Sequence, residues 1–185
     1  TPKSTFNFNG GTLKAQAAST AFMTRLSTNQ IRTAAAIIDA NGFALTVGQT
    51  LLHSTIGGDS ATDGGLTLTN STGSGTLTLN GVNDFNGPTK ITTGILTVGN
   101  SLALQNSPLD TLNSVTGNAA NGLSAGTNQA ITLGGLTGNK NLASVFSTSG
   151  GYGSVTALTL NPGTGATPSY AGSIANGAGG MTLTK

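Results

Sequence analysis

The sequence has no cysteine, no tryptophan and no glutamate, and only 6% of its 185 residues are charged. Without cysteine, neither a disulfide framework nor a thiolate metal site can form. Seven Lys and Arg against five Asp leave a net charge of +2 on scattered positions. That is too little for the basic stripe that neutralises phosphates, so no nucleic-acid partner is expected. No apolar run approaches the roughly 20 residues of a membrane span, and no charged-then-apolar leader opens the chain. The first residues, Thr1-Pro2, read as the start of a processed product or of an excised piece.

Aromatic residues make up only 4% of the chain, although hydrophobic residues reach 36% and 29 glycines are spread along its length. A typical soluble domain carries about 25% charged residues. Here hydration must come from Thr, Ser and Asn instead, a composition that favours strands over helices. Disorder is the first alternative for a chain rich in Gly, Ser and Thr. Disordered chains combine low hydrophobicity with high net charge, whereas this one is nearly uncharged and places Leu, Ile, Val and Ala at regular intervals.

Those intervals form a repeat. Gly75-Thr76-Leu77-Thr78-Leu79-Asn80 is followed 19 residues on by Gly94-Ile95-Leu96-Thr97-Val98-Gly99. Alternation at period two sends Leu77, Leu79, Leu96 and Val98 to one face, and Thr76, Thr78, Ile95 and Thr97 to the other. Decayed copies occur at Gly11–Ala15, Gly65–Thr69, Ala130–Gly134, Ala157–Asn161 and Gly180–Thr184. Turn clusters such as Asn70-Ser71-Thr72-Gly73-Ser74-Gly75, Asn86-Gly87-Pro88 and Asn161-Pro162-Gly163 separate them. An antiparallel sandwich should show two-residue hairpin links, and here like strands recur about one coil apart instead. The expected fold is therefore all-β, a parallel β-helix (β-solenoid) forming a single domain over 1–185. With coils of about 20 residues stacked about 4.8 Å apart, roughly nine coils and a rod a little over 40 Å long are expected.

Residues 18–33 depart from the pattern within an atypical N-terminal part, 1–33. Phe22, Met23, Leu26 and Ile31 have spacings of three to five, which suits a short helix or an excursion across the rod. After them, Asp39 to Gly42 reads as a turn between two strands.

The run Gly75-Thr76-Leu77-Thr78-Leu79-Asn80-Gly81-Val82-Asn83-Asp84-Phe85-Asn86-Gly87-Pro88-Thr89-Lys90-Ile91-Thr92-Thr93-Gly94-Ile95-Leu96-Thr97-Val98-Gly99 resembles the autotransporter-associated β-strand repeat of bacterial surface proteins. That family's pattern is G-T-L-T-L-x-G-x-N-x-[YF]-x-G-x-T-x-[VI]-x-x-G-x-L-x-[VA]-G, and nearly every fixed position is met. The resemblance is closest over 64–110. It implies a right-handed parallel β-helix, exported and displayed or released at the cell surface, with no enzymatic activity. Such proteins often end in a membrane β-barrel or another anchoring module, and none is expected within these 185 residues.

The chemistry-bearing residues are few: Asp39, Asp59, Asp63, Asp84, Asp110, His53, Arg25 and Arg32. Polysaccharide lyases and glycosidases need clustered carboxylates, and these are dispersed, so no catalytic residue and no cofactor is expected. Asp59 and Asp63, in the loop Gly57-Gly58-Asp59-Ser60-Ala61-Thr62-Asp63-Gly64-Gly65, are the candidate calcium ligands, against the alternative of a solvated turn. His53 has no second His with which to share a metal. Asn70-Ser71-Thr72 fits an N-glycosylation sequon, and a plain turn is the competing reading. Asn80, Asn83, Asn86 and Asn100 are placed to stack as amide ladders. Ice binding would need unbroken Thr-x-Thr ranks, which Ile95 interrupts.

Gly179-Gly180-Met181-Thr182-Leu183-Thr184 repeats Gly64-Gly65-Leu66-Thr67-Leu68-Thr69, so a fresh rung is expected to begin there. An uncapped solenoid rung exposes core and strand edge. Met181, Thr182, Leu183 and Thr184 are therefore the expected self-association surface, facing an N-terminal coil that includes Phe6, Phe8 and Leu13. The function expected is that of a structural extracellular segment whose partner is another copy of itself, stacked head to tail. The alternative is a piece of an autotransporter-like adhesin passenger that binds a surface polysaccharide.

Overall fold

The computed structural model describes residues 3–164 and 166–185. Seventeen short strands occur among them. The first nine are β1 (Thr5–Phe8), β2 (Thr12–Lys14), β3 (Ser19–Met23), β4 (Thr28–Ile31), β5 (Ala36–Asp39), β6 (Ala44–Val47), β7 (Leu52–His53), β8 (Leu66–Thr69) and β9 (Thr76–Leu79). The rest are β10 (Thr89–Ile91), β11 (Ile95–Val98), β12 (Leu109–Asp110), β13 (Gly122–Ser124), β14 (Ala130–Leu133), β15 (Leu136–Thr137), β16 (Ala157–Leu160) and β17 (Thr182–Thr184). Every pairing between them is parallel, and each joins strands of successive coils. The protein is a parallel β-solenoid.

Three columns of strands build the rod. One runs β1-β4-β7 and is taken up again by β14-β16-β17, the gap being bridged by Asp84, whose N–H donates to Leu51 O, and by a Leu104–Leu133 bridge. A second runs β2-β5-β8-β10-β12-β15, and a third β3-β6-β9-β11-β13. Parallel neighbours on each column hide the backbone polar groups, and the alternating side chains decide what is core.

The alternation works as the sequence indicates. Thr76 pairs with Ile95, Leu77 with Leu96, Thr78 with Thr97 and Leu79 with Val98, so the 19-residue repeat is a true stacked neighbour. Leu45, Leu77, Leu96 and Leu123 form one inward file on the third column, all buried. Ile38, Leu68 and Ile91 form another on the second. The conserved geometry lets each Leu or Ile rest on its equivalent one coil below, a close fit that needs no aromatic residue beyond the buried Phe85 and a few at the ends.

Two expectations need correcting. Residues 18–33 form neither helix nor excursion: β3 and β4 lie within them and pair with β6 and β7 in the body of the rod. The apolar residues there are too sparse for a helix to cover, and a stacked edge satisfies the backbone of the polar strand Thr28-Asn29-Gln30-Ile31 directly. The coils are also longer and fewer than expected. Register partners lie from 19 residues apart (Thr76 and Ile95) to 32 apart (Ala44 and Thr76). The second column has six strands plus one bridge, Gly138 to Tyr170, hence seven levels. The 19-residue pair spans the shortest coil, and longer loops between the strands lengthen the others, so its spacing underestimates the typical coil.

Candidate functional site

The loop that holds Asp59 and Asp63 connects β7 to β8, and its carboxylates are used by the protein itself. Arg32 extends from the end of β4 and grips Asp59 bidentately, Nε to Oδ2 at 2.8 Å and Nη2 to Oδ1 at 2.9 Å. Ser54 Oγ donates to the same Oδ2. The hydrogen bonds from Arg32, then that from Ser54, hold the Asp59 carboxyl down at about 2, against an ordinary 3.8. Stability from this pair is therefore complete above the unfolded value and is lost as pH falls toward about 2. In urea titrations across that range, Arg32→Met is expected to lower stability at neutral pH. The gap between variant and parent should close as the pH drops through about 2.

Asp63 has a different role. Its side chain is fully buried, at 0% exposure. Oδ1 accepts from Gly65 N–H (2.8 Å) and Gly87 N–H (2.9 Å), and Oδ2 accepts from Asn86 N–H (2.9 Å). His53 Nδ1 lies 3.0 Å from Oδ2. In return Asn86 Oδ1 accepts from Asp63 N–H (2.9 Å), and Asn86 Nδ2 donates to Ala61 O (3.0 Å). This reciprocal knot ties one coil to the next at the corner leading into the second column. Two backbones must pass very close there. A Cβ at Gly65 would overlap the Pro88 carbonyl oxygen, and a Cβ at Gly87 would overlap Asp63 O.

The candidate calcium ligands thus point to separate protein donors. Among the described residues no group of three or more His, Cys, Asp or Glu is placed to hold a metal ion. The other carboxylates are likewise engaged locally. Asp39 accepts from the N–H groups of Asn41 and Ser71, each at 2.9 Å, with Lys14 Nζ 3.7 Å away. Burial pushes the Asp39 carboxyl upward, but the hydrogen bonds from Ser71 and Asn41 and the Lys14 charge outweigh it, and the group titrates below its ordinary value. Asp84 accepts from Asn106, and Asp110 from Asn113.

The asparagines act singly across coils rather than in ladders. Asn83 Oδ1 accepts from Leu51 N–H below (2.9 Å) while its Nδ2 donates to Ala103 O above (2.9 Å). Asn70 is only 8% exposed, and its amide is spent on Gly42 N–H and Gly73 O. Its sequon therefore offers no free nitrogen in the folded chain. On the third column Thr46, Thr78, Thr97 and Ser124 do form an outward hydroxyl file. The neighbouring file, Ala44, Thr76, Ile95 and Gly122, is broken at Ile95, as the sequence indicates, and also at Ala44 and Gly122.

The last strand sits where a surface would be expected. β17 pairs with β16, and Ile131, Leu158 and Leu183 form one inward file on the first column. The first two are buried, but Leu183 is 53% exposed because no strand among the described residues covers the far edge of β17. Thr182 and Thr184 are exposed too, while Met181 is half-buried. The repeat that opens with Gly180 therefore continues the first column, whereas its sequence counterpart Leu66–Thr69 lies on the second. At the opposite end, the outer edges of β1, β2 and β3 carry no partner among the described residues. Phe6 and Leu13 are partly exposed there. Phe8 is buried, its ring 4.8 Å from that of Phe6 in an edge-on contact.

No family model matches the chain, and neither the curated proteins nor the solved structures provide a match. No helix among the described residues is long and apolar enough to cross a membrane.

Proposed function

We propose that this chain is a structural, non-catalytic β-solenoid segment that works outside the cell and stacks end to end with copies of itself. The observation that carries the proposal is the uncovered edge of β17, with Leu183 exposed at the head of a file that is otherwise core. The matching acceptor is the free edge of β1, which lies in the same column at the other end of the rod. Because every strand is parallel, adding β1 of one copy to β17 of another extends the column without changing its pattern. Such a contact joins two different surfaces and does not close on itself, so it generates a filament. The extracellular placement and the family likeness rest on the resemblance of residues 75–99 and on a surface kept wet by hydroxyls and amides rather than charge.

Leu183→Asp puts an unpaired carboxylate at the centre of that junction. It is expected to leave the far-ultraviolet spectrum unchanged and to shift assembly to at least about tenfold higher protein concentration in sedimentation velocity. Assembly by the variant at the parent's concentration would remove β17 from the contact. A second reading, a passenger segment that holds a surface polysaccharide, is favoured by one observation: an uncharged cleft beside Phe146 and Tyr152.

A further inference from the structure

We infer that this cleft is a binding site for a neutral saccharide unit, which gives the polysaccharide-binding reading a location. The cleft measures about 620 Å³, within the range of small-molecule sites. It lies on the third-column side of the rod beyond β13, where two short 3-10 turns, Leu142–Val145 and Tyr152–Ser154, follow in close succession. One wall comes from the coil below: Gly117 N–H donates to Ser144 O (2.7 Å), and Thr148 N–H donates to Asn118 O (3.2 Å). Those bonds fix the two walls against each other.

The lining sets the ligand chemistry. None of the residues around the cleft is charged. A charged ligand would lose its hydration there with no counter-charge to replace it. The half-buried Tyr152 ring gives the cleft an apolar flank, backed by the buried Phe146 ring 4.8 Å away and tilted by 53°. Tyr152 is held in place, since its hydroxyl donates to Ala175 O. The opposite requirement, many small hydrogen-bonding groups, is met by Ser144, Ser147, Thr148 and Ser154. Ser147 stands out because its hydroxyl is buried and has no hydrogen-bond partner among the described residues. A buried hydroxyl left unpaired is destabilising, so such groups normally have partners. A purely apolar ligand would leave these hydroxyls unpaired, whereas a pyranose has one C–H-rich face for the Tyr152 ring and hydroxyls around its edge.

The inference rests on the second reading, and one experiment separates their failures. Amide chemical-shift titrations of the whole chain would use maltose, cellobiose, xylobiose, galactobiose and N,N′-diacetylchitobiose to about 20 mM, with digalacturonate as the charged control. The expected result is saturable shifts for at least one neutral disaccharide, centred on residues 144–154, and none for digalacturonate. Tyr152→Ala should weaken that binding about tenfold or more, while Tyr152→Phe, which keeps the ring, stays within about threefold. Should Tyr152→Ala disturb the fold, Ser147→Ala provides the second test, with an expected loss of about threefold or more. Saturable shifts mapping elsewhere on the rod would overturn the site while leaving polysaccharide binding standing. The absence of saturable shifts with every neutral disaccharide would overturn both.

Discussion

Gly65→Ala is expected to destabilise the protein by about 4 kcal/mol or more, enough to leave much of the chain unfolded under conditions in which Gly57→Ala is native. Two effects add at this position. Gly65 has φ +75°, where a residue with a Cβ is strained by roughly 1–2 kcal/mol. The new methyl group would also overlap the carbonyl oxygen of Pro88 and lie 2.6 Å from its nitrogen. Backbone cannot rotate away as a side chain can, so the coils carrying β8 and β10 would have to separate where Leu66 pairs with Thr89. In a solenoid each coil is held only by its neighbours, and a parted interface propagates along the rod. Gly57 sits in the same loop with open space around it and an ordinary φ, so substitution there reports the loss of a glycine without either effect. Urea denaturation followed by circular dichroism gives the comparison. Equal midpoints for the two variants would show that the close approach at Gly65 is not what holds the corner.

Asp63→Ala is the second large effect, expected to be about 3–5 kcal/mol at neutral pH. The methyl group leaves three backbone N–H donors, those of Gly65, Asn86 and Gly87, buried without their acceptor. Hydrogen bonds to a buried carboxylate are among the stronger ones, and unpaired donors bring their full desolvation penalty. Asp63→Asn keeps the size and one acceptor oxygen but turns an NH2 group toward a donor, so a loss of about 1–3 kcal/mol is expected. Asp84→Ala, at an exposed carboxylate that reaches only the Asn106 side chain, should change stability by less than about 1 kcal/mol. Chemical denaturation of the three variants ranks them, and an Asp63→Ala midpoint equal to that of Asp84→Ala would refute the corner knot.

The rungs themselves were legible because period-two alternation is a local signal. Leu77, Leu79, Leu96 and Val98 are inward and their threonine neighbours are outward, as the sequence indicates. Coil length was not legible, since Leu66, Leu77 and Ile131 lie in almost identical local patterns yet belong to three different columns. Nothing within a strand tells which face it joins. β4 was hidden for a different reason: Asn29 and Gln30 are buried in a strand whose only apolar residue is Ile31. The role of Asp63 had a partial signal, a Gly-rich loop followed 23 residues later by Asn86-Gly87-Pro88, but the pairing is made across coils and shows only once they are stacked. The cleft had none, for Phe146 and Tyr152 meet through two consecutive 3-10 turns rather than through any periodic element.

The central claim is that one rod continues into the next through β17 and β1. Cryo-electron microscopy of the purified chain over a concentration series tests it most directly. The prediction is unbranched filaments one solenoid wide, with the strand spacing of about 4.8 Å running unbroken across each junction and Leu183 covered by the β1 strand of the following copy. Dispersed single rods at every concentration, or filaments whose junctions leave Leu183 exposed, would contradict it.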